Sequence, residues 1–98
     1  MTIDKTKNGS QLLLSITGRL DTSTAPQLEA IITDELTNVT DLVFDFANLE
    51  YISSVGLRAL LKAQKKMNAV GSMKVLNVNE AIMEVFEITG FNSILNIG

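Results

Sequence analysis

Asp45-Phe46-Ala47-Asn48-Leu49-Glu50-Tyr51-Ile52-Ser53-Ser54-Val55-Gly56-Leu57-Arg58-Ala59-Leu60-Leu61 passes from strand to helix within a few residues. A strand-like apolar stretch ends in an irregular turn, two serines follow, and a helix is expected to begin at the second. A serine hydroxyl held at a helix N-terminus is either a capping device or a place to carry a phosphate. Ser54 is expected to be the N-cap, its oxygen accepting from the free N–H groups of the first turn, which Gly56 leaves sterically open. A phosphate on that oxygen would add roughly −1.5 to −2 charges at the positive end of the helix, where an anion is tolerated without rearrangement. Arg58 lies four residues on, and helical side chains lean toward the N-terminus, so it can reach back to such a phosphate. Taken alone, Ser54 reads most simply as a plain cap, and the stripe Arg58, Lys62, Lys65 and Lys66 as the solvated face of an amphipathic helix.

Outward from this run, the apolar pattern alternates between strand and helix periods. Met1, Ile3 and Lys5 begin a weak alternation that breaks at Asn8-Gly9, and Leu12, Leu13, Leu14 and Ile16 follow. Asn-Gly therefore marks a hairpin turn between two strands, the second ending near Gly18 and Asp21. Thr24 stands three residues before Gln27, a capping-box spacing, and Pro26 falls in the first turn, where its missing N–H costs least. Leu28, Ile31, Ile32 and Leu36 continue a helical face to about Thr37. Asp41 to Phe46 alternates as a strand, Val55 to Asn68 has a helical period, and Met73 to Val78 reads as another strand after Gly71. Asn79 is placed to cap a third helix burying Ile82, Val85 and Phe86 and ending at Gly90. Ser93 to Ile97 is expected to form a short final strand.

The expected order is β-β-α-β-α-β-α-β in a single α/β domain spanning residues 1–98. Strands alternating with helices imply right-handed crossovers and a mixed, mainly parallel sheet whose N-terminal hairpin supplies an antiparallel edge. Strand-to-helix loops of an open α/β sheet emerge at its carboxyl edge, where ligands and partners meet the fold. If the second and third strands are neighbours, Asp21 and Ser54 share one patch there. Asp21 also reads as an ordinary turn residue for Thr22 to Thr24.

Composition narrows the chemistry. The 98 residues suffice for one core, and 46% are apolar, with a single proline and six glycines. Neither cysteine nor histidine occurs. Disulfides, thiol nucleophiles and Cys- or His-based metal sites are therefore removed, along with the usual general base near neutral pH. Ser54-Val55-Gly56 resembles half of a nucleophile elbow, but Ile52 stands where glycine is needed and no histidine can activate the serine. Phosphate-cradling and dinucleotide glycine patterns are missing, so neither an enzyme nor a cofactor is expected. A net charge of −3 argues against direct nucleic-acid binding. No run of 18 apolar residues and no basic-then-apolar leader occurs, so the expectation is a cytoplasmic protein without a membrane span.

Three segments together resemble one family. Gly18-Arg19-Leu20-Asp21-Thr22-Ser23-Thr24-Ala25-Pro26 resembles the G-x-L-D segment that opens the first helix of STAS domains. Leu42-Val43-Phe44-Asp45-Phe46, leading into Tyr51-Ile52-Ser53-Ser54-Val55-Gly56-Leu57, looks like that family's phosphorylation loop. Asn79 to Phe91 is similar to its third helix. The resemblance covers essentially the whole chain, and at this length it is to the bacterial anti-sigma factor antagonist type. It implies a partner switch. The unphosphorylated antagonist binds an anti-sigma factor serine kinase and frees the sigma factor; the kinase phosphorylates it, and a metal-dependent serine phosphatase resets it. Alignment on Gly56-Leu57 carries the phosphoacceptor onto Ser54 rather than Ser53, with Asp21 as the acidic residue beside it. Asp21, Thr22, Ser53, Ser54, Val55, Gly56 and Arg58 are the partner-binding residues implied. Ser53 stands where many members have Asp, Val55 where Ser or Thr is common, and Arg58 where several have a small residue. The alternative is a STAS binding or scaffold subunit of a transport or signalling complex, without a phosphorylation cycle.

Overall fold

Leu12, Leu14 and Ile16 on one segment and Leu42, Phe44 and Phe46 on another each present an apolar row at strand spacing, and all six are buried. The computed structural model describes residues 1–98 and sets the two rows side by side. Its elements are β1 (Thr2–Asn8), β2 (Gln11–Leu20), α1 (Ala25–Asp34), β3 (Asp41–Ile52), α2 (Ser54–Val70), β4 (Ser72–Leu76) and α3 (Glu80–Thr89). One four-stranded sheet runs in the order β1-β2-β3-β4. The first pair is antiparallel and the other two are parallel. The mixed, mainly parallel α/β sheet expected from the sequence is the sheet observed.

The hairpin between β1 and β2 turns on Gly9 and Ser10, since Asn8 still pairs with Gln11. Gly9 has φ +63°, the left-handed conformation that the first position of a two-residue hairpin turn demands. Parallel pairing of β2, β3 and β4 requires crossovers, which α1 and α2 provide. These two helices touch each other and bury Leu28, Ile31 and Ile32 from one and Leu57, Leu60 and Met67 from the other. α3 packs against β3 and adds Ile82 and Phe86 to the same 24-residue core.

Several boundaries differ from those the sequence suggests. β3 does not stop at Phe46 but continues to Ile52 through two register shifts against β2, one between Ser15 and Thr17 and one between Gly18 and Arg19. Each adds one residue to β3 relative to its partner, a bulge that lets the chain stay paired while its apolar spacing changes. α1 ends at Asp34 rather than near Thr37, and Thr24 does not cap it. The Thr24 hydroxyl accepts from the Asp21 N–H at 2.9 Å and donates to the Arg19 carbonyl at 2.8 Å, so it is already committed to the preceding loop. The final strand is reduced to a single parallel bridge between Ile97 and Val75, preceded by a short 3-10 turn over Phe91–Ser93.

Candidate functional site

β2 and β3 end together. Leu20 pairs with Ile52, and the Ser53 N–H donates to the Leu20 carbonyl at 2.9 Å. The two loops that follow, beginning at Asp21 and at Ser53, are thus adjacent at the carboxyl edge of the sheet.

The two serines have different positions, and the expected assignment of the cap is corrected. Ser53, with extended backbone at φ −94° and ψ 174°, is the N-cap of α2; its Oγ accepts from the Gly56 N–H at 3.3 Å, and its carbonyl accepts from Leu57 N–H at 2.9 Å. Ser54 is the first residue of the helix and is exposed. The reason is the length of β3: the strand runs to Ile52, so Ser53 is the last residue with extended dihedrals, and an N-cap needs those. Ser53 therefore makes the capping bond, while the Ser54 side chain makes no hydrogen bond in the structure. Asp and Ser are near-equivalent caps, so Ser53 can replace the Asp of the family pattern without loss of the capping bond.

Gly56 is required by space rather than by backbone conformation. A Cβ there would stand 2.8 Å from Leu20 Cγ, 2.9 Å from Ile52 Cγ1 and 3.0 Å from the Leu20 carbonyl oxygen. Its lack of a side chain lets the first turn of α2 sit directly on the ends of both strands. Val55 is half-buried beside it.

Asp21 is half-buried and locally engaged. Its Oδ1 accepts from the Ser23 hydroxyl at 2.8 Å, the Ser23 N–H at 3.0 Å and the Thr24 N–H at 3.2 Å, with the Thr24 hydroxyl, shared with the Arg19 carbonyl, also 3.2 Å away. The Ser23 hydroxyl bond, working against partial desolvation and helped by the Thr24 and backbone donors, holds the carboxyl below its ordinary range. Asp21 is therefore an ionised loop-former whose second oxygen, Oδ2, makes no hydrogen bond and lies 3.7 Å from Arg19 Nε. Thr22 is exposed between these ligating residues.

Two residues of the patch were not singled out from sequence. Arg19 lays its guanidinium 4.2 Å from the centre of the Tyr51 ring, and Tyr51 is 41% exposed. The pair exists because the second bulge in β3 moves Glu50 out of register and sets Tyr51, not Glu50, opposite Arg19. An exposed aromatic with a cation stacked on it is the kind of rigid, amphipathic contact that interfaces favour. Arg58 is exposed one helical turn beyond Ser54 and makes no ion pair or hydrogen bond.

The family model of the STAS domain matches residues 2–98. The chain belongs to the STAS family. BtrV of Bordetella bronchiseptica, provisionally named an anti-sigma factor antagonist, is 35% identical over 103 residues, covering 99% of this chain and 84% of that protein. The anti-sigma-B factor antagonist of Bacillus subtilis is 27% identical over 96 residues, covering 97% and 88%. Among solved structures, the STAS chain superposes on the anti-sigma factor antagonist SpoIIAA in its unphosphorylated form with a TM-score of 0.79 at 20% identity, covering 99% of this chain and 87% of that one. It superposes on the phosphorylated form of SpoIIAA, a Bacillus cell fate determinant, with a TM-score of 0.78 at 21% identity, covering 99% and 91%. At these identities the SpoIIAA structures establish the shared fold.

No helix of the STAS chain is long and apolar enough to cross a membrane.

Proposed function

We propose that this STAS domain is an anti-sigma factor antagonist whose unphosphorylated form binds an anti-sigma factor serine kinase, so releasing a sigma factor, and that phosphorylation of Ser54 ends the binding. The observation that carries this reading is the division of labour between the serines. Ser53 holds the helix, which leaves the Ser54 hydroxyl exposed, unbonded and positioned beside the Asp21 loop. A kinase can use it without dismantling a cap.

A phosphate on Ser54 would lie at the first turn of a 17-residue helix, whose N–H groups at Ser54 and Val55 have no intrahelical acceptor. The modified protein therefore need not refold. The switch then acts at the interface: a dianion next to ionised Asp21 replaces a neutral hydroxyl, and both repulsion from partner carboxylates and desolvation of the phosphate oppose docking. A metal-dependent serine phosphatase would restore the binding form. Asp21, Thr22, Ser53, Val55 and Arg58 lie around Ser54 as the contact surface, joined by Arg19 and Tyr51, while Gly56, expected from the sequence to belong to it, is buried and seats the helix beneath.

The test is a pull-down from the source cell on unphosphorylated bait, with mass spectrometry of the native protein. A serine kinase of the anti-sigma type should be recovered with wild-type and Ser54→Ala bait and lost with Ser54→Asp, and native protein should carry phosphate on Ser54. Equal recovery on all three baits would remove Ser54 from the switch. Recovery of a transport or signalling assembly with unmodified Ser54 would instead identify a scaffold subunit.

A further inference from the structure

α2 holds four of the chain's eight basic residues and none of its eleven acidic ones. It thus carries +4 in a molecule of net charge −3, leaving −7 on everything else. Ser54, Arg58, Lys62 and Lys65 follow at steps of four, four and three, and all four are exposed. That spacing aligns them in one stripe down the helix with Ser54 at its head. Lys66 flanks the stripe and donates to the Ile32 carbonyl at the end of α1, at 3.0 Å.

A solvated helix face ordinarily mixes the two signs. Here Arg58, Lys62 and Lys65 take part in no ion pair, the molecule's two ion pairs being Lys5–Glu35 and Arg19–Asp21. Lys62 has a like charge four residues before it and others three and four residues after it, an arrangement that weakens a helix. No ion pair or hydrogen bond within the protein uses Arg58, Lys62 or Lys65. An acidic surface laid along α2 would use them.

We propose that the stripe Arg58–Lys62–Lys65 is the electrostatic half of the docking surface and that it receives an acidic face of the anti-sigma factor. This rests on the function proposed above and adds to it the chemistry of the partner. Charge complementarity fixes the occupant's sign, and position ties the stripe to the switch. A phosphate on Ser54 adds roughly −1.5 to −2 charges at the head of the stripe, cancelling up to about half of the charge on α2. The modification that obstructs contact at the hydroxyl therefore also weakens the field that draws the partner in. An extended polyanion such as nucleic acid or an anionic bilayer would meet the −7 on the rest of the molecule, whereas a folded partner can present carboxylates to α2 alone.

Lys62→Glu/Lys65→Glu is the discriminating variant. It turns the Arg58–Lys62 and Lys62–Lys66 repulsions into attractions, so its Tm is expected to equal or exceed that of the wild type. Association with the purified anti-sigma factor recovered in the pull-down is then followed at low and at physiological ionic strength. The variant should associate roughly tenfold more slowly at low salt, with the gap closing as salt is raised and the dissociation rate little changed. An unchanged association rate with the same salt dependence overturns the proposal, as does a binding loss accompanied by a lower Tm. So does wild-type binding to phosphatidylcholine–phosphatidylserine vesicles that the variant loses while both bind the anti-sigma factor alike. Ser54→Asp separates the two levels: binding lost there but intact in the lysine variant overturns the stripe and leaves the switch standing. No binding of the anti-sigma factor by wild-type protein overturns both.

Discussion

Ser53 and Ser54 are chemically identical neighbours, and their different roles follow from one backbone dihedral step. Removing the Ser53 hydroxyl leaves the Gly56 N–H without its acceptor. Ser53→Ala is therefore expected to lower stability by about 0.5–2 kcal/mol in urea denaturation. Ser54→Ala, at an exposed position with no bond to lose, should stay within about 0.5 kcal/mol of wild type. Ser53→Asp should keep the stability, because a carboxylate caps as well as a hydroxyl and is favoured at a helix N-terminus. A larger loss in Ser54→Ala than in Ser53→Ala would return the cap to Ser54. Asp21 gives a second test at this scale. Its carboxyl is depressed from an ordinary 3.8, first by the Ser23 hydroxyl, so its contribution is complete above that value and is lost as pH falls through the lowered one. The stability difference between wild type and Asp21→Asn should accordingly be flat from neutrality down to about pH 4 and shrink below it. A difference that already fades between pH 7 and pH 5 would mean that the loop does not hold the carboxylate ionised.

At the scale of elements, what the sequence revealed depended on whether its apolar period stayed constant. α2 and α3 keep theirs, and Asn79 and Gly90 bound α3 where their chemistry suggests: Asn79 accepts from the Ile82 N–H at 2.9 Å, and Gly90 has φ +80°. β3 does not keep its period. Its residues in the common core fall at Leu42, Phe44 and Phe46 and then at Leu49 and Ile52, a step of two becoming a step of three. That change looks like the end of a strand and is in fact two bulges, which only the partner strand's register discloses. Both errors at the site descend from this one feature. The strand's hidden length displaced the cap from Ser53 to Ser54, and its hidden register concealed the stacking of Arg19 on Tyr51. Neighbouring loops and the acidic residue, by contrast, were legible because they depend only on element order. α3 is tied to the bulged half of β3 through Asn79, whose side-chain amide donates to the Leu49 carbonyl at 2.8 Å while its oxygen caps the helix. Asn79→Ala breaks both bonds, so it should cost about 1–3 kcal/mol, more than cap removal alone. Asn79→Asp keeps the cap and loses only the bond to Leu49, and should fall between the wild type and Asn79→Ala. Equal stability of Asn79→Ala and Asn79→Asp would show that the link to β3 alone carries the effect.

For the whole molecule, the closing segment decides how the sheet ends. β4 would be an open edge of the sheet, but the Val75 N–H donates to the Asn96 carbonyl at 2.9 Å and the Gly98 N–H to the Val75 carbonyl at 3.0 Å. These bonds lay the tail along β4 without forming a regular strand. Leu95 is the residue that holds it there: it is 5% exposed and belongs to the common core, and its N–H donates to the Phe91 carbonyl at 2.8 Å. A short tail with one buried anchor and a partly buried Ile97 pairs only locally, and the strand expected there shrinks to a bridge at Ile97. Leu95→Ala should cost about 2–5 kcal/mol, a large part of the roughly 5–15 kcal/mol that stabilises a domain of this kind. It should also free the β4 edge, and exposed edges pair with one another. The expected signature is a lowered urea midpoint together with concentration-dependent association in size-exclusion chromatography with light scattering. A midpoint shift without association would show that the tail contributes to packing alone, with the edge protected by exposed Lys74.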